Sequence, residues 1–530
     1  MRISTSQFYE STSATYQNNF SSVVKTQTQI DSGVRIQSAG DDPAGAAQLL
    51  LLQQQKDMLG QYSTNMNTIK ASLNNQESIL DSINTALQTA KNLTIQAGGI
   101  ISDADRASIA NEIGGIEEQV FSLLNSKDAD GNYMFSGSKT STPPYARNND
   151  GTYTYQGDDI QLNLKVSDTI TMAGSDTARS FLESSPNTGR TQATLLPPAV
   201  NDGKVSITAG TVTSTAVYDQ GFTAGQPYTL TFTSSTQFTL TDGTGKDITS
   251  EIAGNGTFDS TKEGAHSVNL RGVQFDIGMD FSGAEDTVAQ DALAKDKVFT
   301  LEAKPDSFNV SRTPSNASTA QLTSASIADA KKYSDSFPGS GAVIKFTSDT
   351  EYQVFAQPVS ANSKPLAEGT MTGTSVTAAG VKFDFSEAPK AGDQFVVNAD
   401  NHKNQSALDT LSEIRKALLV PTDNDPVAKL KQRDAISATI GNLSNASEHV
   451  DKARGSIGSR LNAVDIQADA NTSLGLANDT TMSAIGNTDM ASASVDLAFQ
   501  KAMLEASQLA FVKISQLSLF NQLETVDTPH

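Results

Sequence analysis

The residue types that most often carry out chemistry in proteins are scarce in this 530-residue chain and are not grouped. It has no cysteine, which excludes disulfides, thiolate metal sites and cysteine nucleophiles together. Its four histidines, His266, His402, His449 and His530, are far apart, and none belongs to a His-Glu-x-x-His zinc motif. We therefore expect no enzyme activity and no cofactor.

Two short segments only partly match known ligand loops. The segment 128–132 begins like a calcium loop, but its glycine comes too early and no glutamate stands at the twelfth position. The segment 244–247 lacks the glycine spacing and the hydroxyl residue of a phosphate-binding loop. Both are typical of turns, so the sequence predicts no metal site and no nucleotide site.

The composition favours a secreted or assembled structural protein. With 38 Lys and Arg against 59 Asp and Glu, the net charge of -21 argues against nucleic-acid partners and anionic membranes. Only 37% of residues are hydrophobic, and the longest aliphatic run, Leu49–Leu52, is too short for membrane insertion. Because the first residues form no apolar signal segment, we expect export by a route without a cleaved signal.

Both ends of the chain have the apolar spacing of long helices, in alternating steps of three and four residues. The N-terminal stripes are Tyr16, Phe20, Val23, Gln27, Ile30 and Val34; Ile69, Leu73, Gln76, Leu80, Ile83, Leu87 and Ala90; and Ile109, Ile113, Ile116, Val120 and Leu123. The C-terminal stripes are Ile436, Ile440, Leu443, Ser447, Val450, Arg454, Ile457, Leu461 and Val464; and Leu509, Val512, Gln516, Leu519 and Leu523. Their polar members make these stripes narrow, so each helix needs partners.

Between about residues 131 and 400 the spacing changes to the period of two that is typical of β-strands. It starts with Ile160, Leu162, Leu164 and Val166, which predict a half-buried strand.

The middle also contains an internal repeat. Phe232–Leu240 resembles Phe346–Val354, and Gly272–Asp276 resembles Gly380–Asp384, in the same order and at similar spacing. This predicts a duplicated unit of about 110 residues.

Together these patterns predict an α+β fold. The N- and C-terminal regions form a discontinuous helical coiled coil or bundle, and a β-rich middle of two tandem β domains is inserted between them. The predicted domains are a terminal helical domain of an inner tube (1–42 and 485–530), a helical bundle with a β-hairpin part (43–189 and 405–484), a first β domain (190–300) and a second β domain (301–404).

The segment 32–45 has the residues of a helix stop followed by a restart. Gly40 can adopt the left-handed conformation that ends a helix. Asp42 can then cap a new helix with Pro43 at its first position. If the chain turns back there, Arg35 is within reach of Asp41 or Asp42. Two interpretations remain open, an ordinary capped turn with a solvated ion pair and a hinge that joins two layers of a helical tube.

Several segments resemble a known family. The sequence from Ser32 to Gly45 closely resembles the N-terminal motif of flagellins, and the segment 457–465 resembles its C-terminal counterpart. The segment 489–523 looks like the terminal flagellin-type helix. More narrowly, the segment 131–140 resembles a stretch of the hook-associated protein 3 family.

The first motif also departs from the flagellin pattern. The departures are Gln37, Gly40 and Pro43, and they favour the hook-associated protein 3 family over filament flagellin.

The resemblance implies a structural subunit of the bacterial flagellum, outside the cell, at the junction of hook and filament. It implies hook-associated protein 1, flagellin, a ring of like copies and an export chaperone as partners, and export through the flagellar type III apparatus. It assigns subunit packing to a hinge motif of Ser32, Gly33, Arg35, Ile36, Ser38, Gly40, Asp41, Asp42 and Pro43. It assigns assembly and chaperone binding to Leu497, Leu504, Leu509, Val512, Leu519, Phe520 and Leu523. A filament flagellin, or an adhesin that acts through the β-rich middle, are the alternatives.

Overall fold

The computed structural model describes residues 5–99, 102–148, 151–259, 266–284, 286–313, 315–338, 341–360, 362–423 and 425–524. The N-terminal helices are α1 (Thr5–Ser32), α2 (Pro43–Ala97) and α3 (Asp103–Leu124). Two short hairpins follow, formed by β1 (Tyr145–Arg147) with β2 (Tyr153–Tyr155), and by β3 (Asn163–Lys165) with β4 (Thr171–Ala173).

The first half of the β-rich middle contains two sheets. Its elements are β5 (Thr191–Leu195), β6 (Val205–Ile207), β7 (Thr211–Val212), the short helices α4 (Thr215–Val217) and α5 (Thr223–Gly225), β8 (Tyr228–Ser234), β9 (Gln237–Thr241), β10 (His266–Leu270), β11 (Val273–Met279), α6 (Thr287–Ala294) and β12 (Val298–Ala303). One sheet has the order β5-β12-β8-β9 and the other β10-β11-β6, with β7 also paired to β11.

The second half repeats this arrangement. Its elements are β13 (Ser307–Arg312), β14 (Leu322–Ile327), α7 (Ala330–Ser336), β15 (Ala342–Phe346), β16 (Glu351–Ala356), β17 (Ala367–Thr370), β18 (Ser375–Ala378), β19 (Val381–Phe385) and β20 (Gln394–Asp400). The sheet orders are β13-β20-β15-β16-β17 and β14-β19-β18. Seven strands of the two halves correspond in chain order and have the same neighbours, namely β5, β6, β8, β9, β10, β11 and β12 with β13, β14, β15, β16, β18, β19 and β20. Strands β7 and β17 have no counterpart. The shared pairing supports the predicted duplication.

Each half has its own apolar core at matching positions. Phe232 and Phe275 are buried in the first, and Phe346 and Phe383 are buried in the second. The two halves are therefore equivalent in their interiors as well as in their strand order.

The chain ends in α8 (Ala407–Leu418), α9 (Pro426–Gly486) and α10 (Met490–Glu524). The α+β prediction, with helical ends and a β-rich middle, is confirmed. The stripe predicted in α2 is fully buried from Ile69 to Ala90. In α9, Leu443 is buried, whereas Ile440 and Leu461 are half-buried.

Two apolar patterns were less well predicted. In α3, Ile116 and Leu123 are half-buried, and Leu124 is buried instead. Ile160 and Leu162 are exposed and precede β3, so the predicted half-buried strand is wrong over these residues. Apolar and polar residues do alternate there, but β3 forms hydrogen bonds with β4 only from Asn163 onward.

By its contacts the chain divides into two compact units. The first consists of Met1–Ala71, Asn163–Gly174 and Ser459–His530, and the second of Ser72–Leu162 and Ser175–Gly458. Helices α2 and α9 contribute residues to both units. The boundaries between the two units therefore differ from the boundaries of the four predicted domains. That finer division stays a prediction.

Candidate assembly site at the terminal helices

The connection between α1 and α2 begins with a left-handed glycine. Gly33 has a φ of +69° and follows the last residue of α1. The prediction that Gly40 takes this role is wrong, because Gly40 lies in a turn that is closed by the Asp41 N–H donating to the Ser38 carbonyl (3.0 Å). Helix α1 is therefore followed by its left-handed glycine at Gly33, seven residues before Gly40.

This connection pairs with the one between α9 and α10. The Arg35 N–H donates to the Gly486 carbonyl (2.7 Å), and the Thr488 N–H donates to the Gly33 carbonyl (2.9 Å). Val34 and Asn487 face each other in an antiparallel bridge. The two breaks between helices, far apart in sequence, hold each other in place. The second break lies close to the predicted domain boundary between residues 484 and 485, but its pairing with the first break was not predicted.

Arg35 links the ends of two helices. Its Nε and Nη2 donate to the Ile485 carbonyl (3.0 and 2.8 Å), one of the carbonyls without a helical partner at the end of α9. Its Nη2 also lies 3.3 Å from Asp42 Oδ2, so one of the two predicted ion pairs is present. Both side chains are partly exposed, and the pair contributes about 0–1 kcal/mol.

The restart of the helix follows the prediction. Asp42 Oδ1 accepts from the Gly45 N–H (2.9 Å) and caps α2, which begins at Pro43. This hydrogen bond, followed by the contact with Arg35, lowers the pKa of Asp42. Ile36 is buried beside Gly45, where an added Cβ would come within 2.6 Å of Ile36 Cδ1.

Asp41 organises the turn itself. Its Oδ2 accepts from the Ser38 N–H (2.9 Å) and from the Ser38 hydroxyl (3.1 Å). Its Oδ1 lies 2.8 Å from Lys25 Nζ on α1. The hydrogen bond from Lys25, then those from Ser38, lower the pKa of Asp41 to about 2, so this carboxylate stays charged in mild acid. Nearby, Ser32 Oγ accepts from Gln37 Nε2 (3.0 Å).

One face of α10 packs against α1. The rings of Tyr9 and Tyr16 contact Phe511 at centroid distances of 5.4 and 6.1 Å, and Thr26 Oγ1 donates to Gln500 Oε1 (2.8 Å). On the same face, Leu497 and Leu504 are half-buried. The contact thus includes a polar pair as well as aromatic and leucine side chains. Phe20, a member of the stripe predicted in α1, is exposed.

The opposite face of α10 is apolar and exposed. Val495 is 70% exposed, Phe499 67% and Leu509 66%, and Met503 and Val512 are about half exposed, at 47% and 49%. The predicted assembly residues therefore divide between the two faces, and Leu519, Phe520 and Leu523 lie outside the described side chains. Contiguous exposed apolar side chains of this kind mark an interaction site.

The described part of the chain contains neither a metal-binding cluster nor a membrane-spanning helix. No three His, Asp or Glu side chains there are grouped closely enough to hold a metal ion. Within the same residues, no helix combines the length and the apolar character needed to cross a membrane.

Comparisons with known proteins agree with these features. Residues 3–140 match the family described as the bacterial flagellin N-terminal helical region. The flagellar hook-associated protein 3 of Salmonella typhimurium is 33% identical over 185 residues, which are 35% of this chain and 57% of that protein. The protein of the same name from Escherichia coli is 32% identical over 168 residues, 32% of this chain and 53% of its own length.

A solved structure is similar over a larger part of the chain. The crystal structure of flagellar hook-associated protein 3 from Legionella pneumophila covers 82% of this chain and 98% of its own, at 20% identity and a TM-score of 0.46. The chain spans little more than half the length of the curated relatives that it matches. The sequence matches confirm the resemblance that the motifs predicted: this chain is similar to flagellar hook-associated protein 3, and its N-terminal region matches that of bacterial flagellins.

Proposed function

We propose that this chain is a structural subunit of the bacterial flagellum that forms the junction between hook and filament. The observation that carries this proposal is the exposed apolar face of α10, with Val495, Phe499 and Leu509 directed away from α1. The similarity to hook-associated protein 3 of two bacteria supports the position in the flagellum.

The proposed mechanism is folding coupled to assembly. Within the chain, α1 and α10 pair through a partly polar contact, in which Leu497 and Leu504 are only half-buried. Burying an exposed side chain such as Phe499 against a neighbouring copy contributes about 1.5–3 kcal/mol. Several such side chains in each subunit offset the conformational entropy that is lost when the terminal helices become ordered in a tube.

The hinge motif takes a defined part in this mechanism. The connection around Arg35 and Asp42 holds the start of α2 next to the end of α9. Helices α1 and α10 extend from this connection as a pair. We propose that it acts as a hinge between the inner terminal domain and the helical bundle. The small contribution of the exposed ion pair between Arg35 and Asp42 supports a hinge, because little free energy is lost if this pair opens when the angle changes.

The proposed partners follow from the position at the junction. Hook-associated protein 1 lies on the hook side, flagellin on the filament side, and like copies complete the ring. An export chaperone covers the apolar face of α10 until the subunit leaves through the flagellar type III apparatus for the cell exterior. No catalytic step belongs to this function.

Electron microscopy of intact flagella tests the proposal. An epitope inserted in the exposed turn at Gly245, which has open space around it, is labelled with gold in a strain that lacks the native copy. We expect label at the boundary of hook and filament alone. Label along the whole filament would instead support the flagellin alternative, for which the match to the flagellin N-terminal region is the supporting observation.

A further inference from the structure

The two halves of the β-rich middle are equivalent in their hydrogen bonds as well as in their strand order. In the first half, the turn between β10 and β11 is left-handed at Arg271 and Gly272, and in the second, the turn between β18 and β19 is left-handed at Ala379 and Gly380. The Gly272 carbonyl accepts from the Thr213 N–H (2.9 Å), as the Gly380 carbonyl does from Ala328 (2.8 Å).

A side-chain pair is repeated on the outward face of the same hairpins. Ser267 Oγ donates to Asp276 Oδ1 (2.5 Å) in the first half, and Ser375 Oγ donates to Asp384 Oδ1 (2.5 Å) in the second. The outward faces of β10-β11-β6 and β18-β19-β14 are therefore equivalent surfaces.

In the first half, this outward face lies on helix α9. Asp434 Oδ1 accepts from the Ala209 N–H (2.9 Å), and Arg433 Nη2 lies 3.5 Å from Asp276 Oδ2. A polar cavity of about 60 Å³ remains between the sheet and the helix, and it is lined by Thr208, Gly210, Thr211, Gln274, Asp276, Asp434 and Ser437. The face is thus a binding surface for a polar helix, with one ion pair and one backbone hydrogen bond to an aspartate.

In the second half, the equivalent face is open in the described part of the chain. Ser324, Ser326, Thr377 and Lys382 are all exposed on it. Lys382 stands where the first half has Gln274, and its Nζ lies 2.7 Å from Asp384 Oδ1. In the first half, Asp276 forms its ion pair with Arg433 of α9. In the second half, the equivalent Asp384 is already paired with Lys382 of the same sheet.

We propose that the outward face of β18-β19-β14 binds a helix of a second copy of this chain. The matching face of the first half already binds a helix of this same chain, which shows the kind of ligand that the surface takes. Because Lys382 already supplies the positive charge that Arg433 brings to the first half, the arriving helix needs no arginine there and can present carboxylates, which a chain of net charge -21 has in excess. The choice of a second copy rests on the proposed function, which places like subunits side by side.

Site-specific cross-linking tests this inference, and the chain suits it because it has no cysteine. Ser326→Cys is labelled with a benzophenone maleimide in isolated flagella, and Ser360→Cys, which is exposed but lies outside the face, is the control. We expect adducts of two copies from Ser326→Cys, with the cross-linked peptide in a helix, and none from Ser360→Cys. Adducts with another flagellar protein, or no adduct, would overturn the inference.

A charge reversal adds a quantitative test. Lys382→Glu places a carboxylate opposite the carboxylates of the arriving helix and should lower the yield of the adduct about fivefold or more. An unchanged yield would show that Lys382 does not face the partner and would overturn the charge argument.

The outcomes separate this inference from the proposed function. If gold label marks the junction but Ser326→Cys forms no adduct, the function stands and the inference fails. If the junction carries no label, the same cross-linking is carried out with the purified chain at high concentration. An adduct of two copies from Ser326→Cys then supports the inference, although the proposed function has failed.

Discussion

The α2 stripe and the α1–α10 pair have the same spacing of apolar residues but opposite burial. From Ile69 to Ala90, every predicted position of α2 is buried. On α10, the predicted positions Leu509 and Val512 are exposed, and the face that contacts α1 consists of residues such as Leu497, Leu504 and Phe511. Spacing in steps of three and four thus reveals a helix and its possible faces, but not which face finds a partner in the same chain.

The two regions also differ in what their contacts bury. The α2 stripe is dense in Leu and Ile and is buried within the chain, whereas the contact between α1 and α10 includes Thr26 and Gln500 and leaves Phe499 outside. Under the proposed function, this division suits a protein that is exported before it is assembled, because neighbouring subunits then cover the apolar face of its terminal helices.

The largest effect is expected in the buried bundle. Leu443→Asp places a carboxylate at a position of α9 that is 0% exposed, where the charge has no partner. We expect the free energy of unfolding, measured with urea, to fall by more than about 4 kcal/mol.

The matched control is the same substitution on the exposed side of α9. Leu476 is 69% exposed, so Leu476→Asp should change the free energy of unfolding by less than about 1 kcal/mol. Equal effects of the two substitutions would contradict the assigned interior of α9.

A smaller effect is expected at the start of α2. The Cβ added by Gly45→Ala would lie 2.6 Å from Ile36 Cδ1 and 2.7 Å from Asp42 Oδ2, and we expect a loss of about 1–3 kcal/mol. Gly60→Ala, in the same helix but in open space, should instead stabilise by about 0.5–1 kcal/mol. Thermal unfolding of both variants checks that the two changes in stability have opposite signs. If Gly45→Ala left the stability unchanged, the hinge would be loosely packed.

The contact of α9 with the first β half should depend on pH. Burial raises the pKa of Asp434 from 3.8 to about 6, and Asp276 adds to the shift while Arg433 and Lys304 oppose it. Because the folded chain binds this proton more tightly than the unfolded chain, the free energy of unfolding falls as pH rises from about 4 to about 6, by about 1–3 kcal/mol. Asp434→Asn should remove this fall, and identical pH profiles of the two proteins would contradict the burial of Asp434.

Much of the fold could be predicted from the sequence, since its signals are local. The period of the α2 stripe and the repeated Gly-Val-x-Phe-Asp of the two β halves specify their elements without knowledge of tertiary contacts. The exposed Ile160 and Leu162 were misplaced because alternation alone does not show where pairing begins.

The candidate site was predictable only in part. The cap at Asp42 and the ion pair with Arg35 follow from residues a few positions apart. The pairing of Arg35 with Gly486 and the ion pair of Lys25 with Asp41 depend on how distant or turning segments meet, which no local pattern specifies. Gly33 and Gly40 could each have ended α1, and no local pattern in the sequence distinguishes them.

The smallest effect on stability belongs to the variant that tests the central claim, Phe499→Asp in the exposed face of α10. Phe499 is 67% exposed, so this variant should unfold within about 0.5–1 kcal/mol of the native protein. Val288→Asp, at a position that is 79% exposed in the first β half, is the control. The most direct measurement is the amount of each variant retained in isolated flagella: we predict that Phe499→Asp is lost while Val288→Asp is retained. Retention of Phe499→Asp at the native level would contradict the proposal that this face packs against neighbouring subunits.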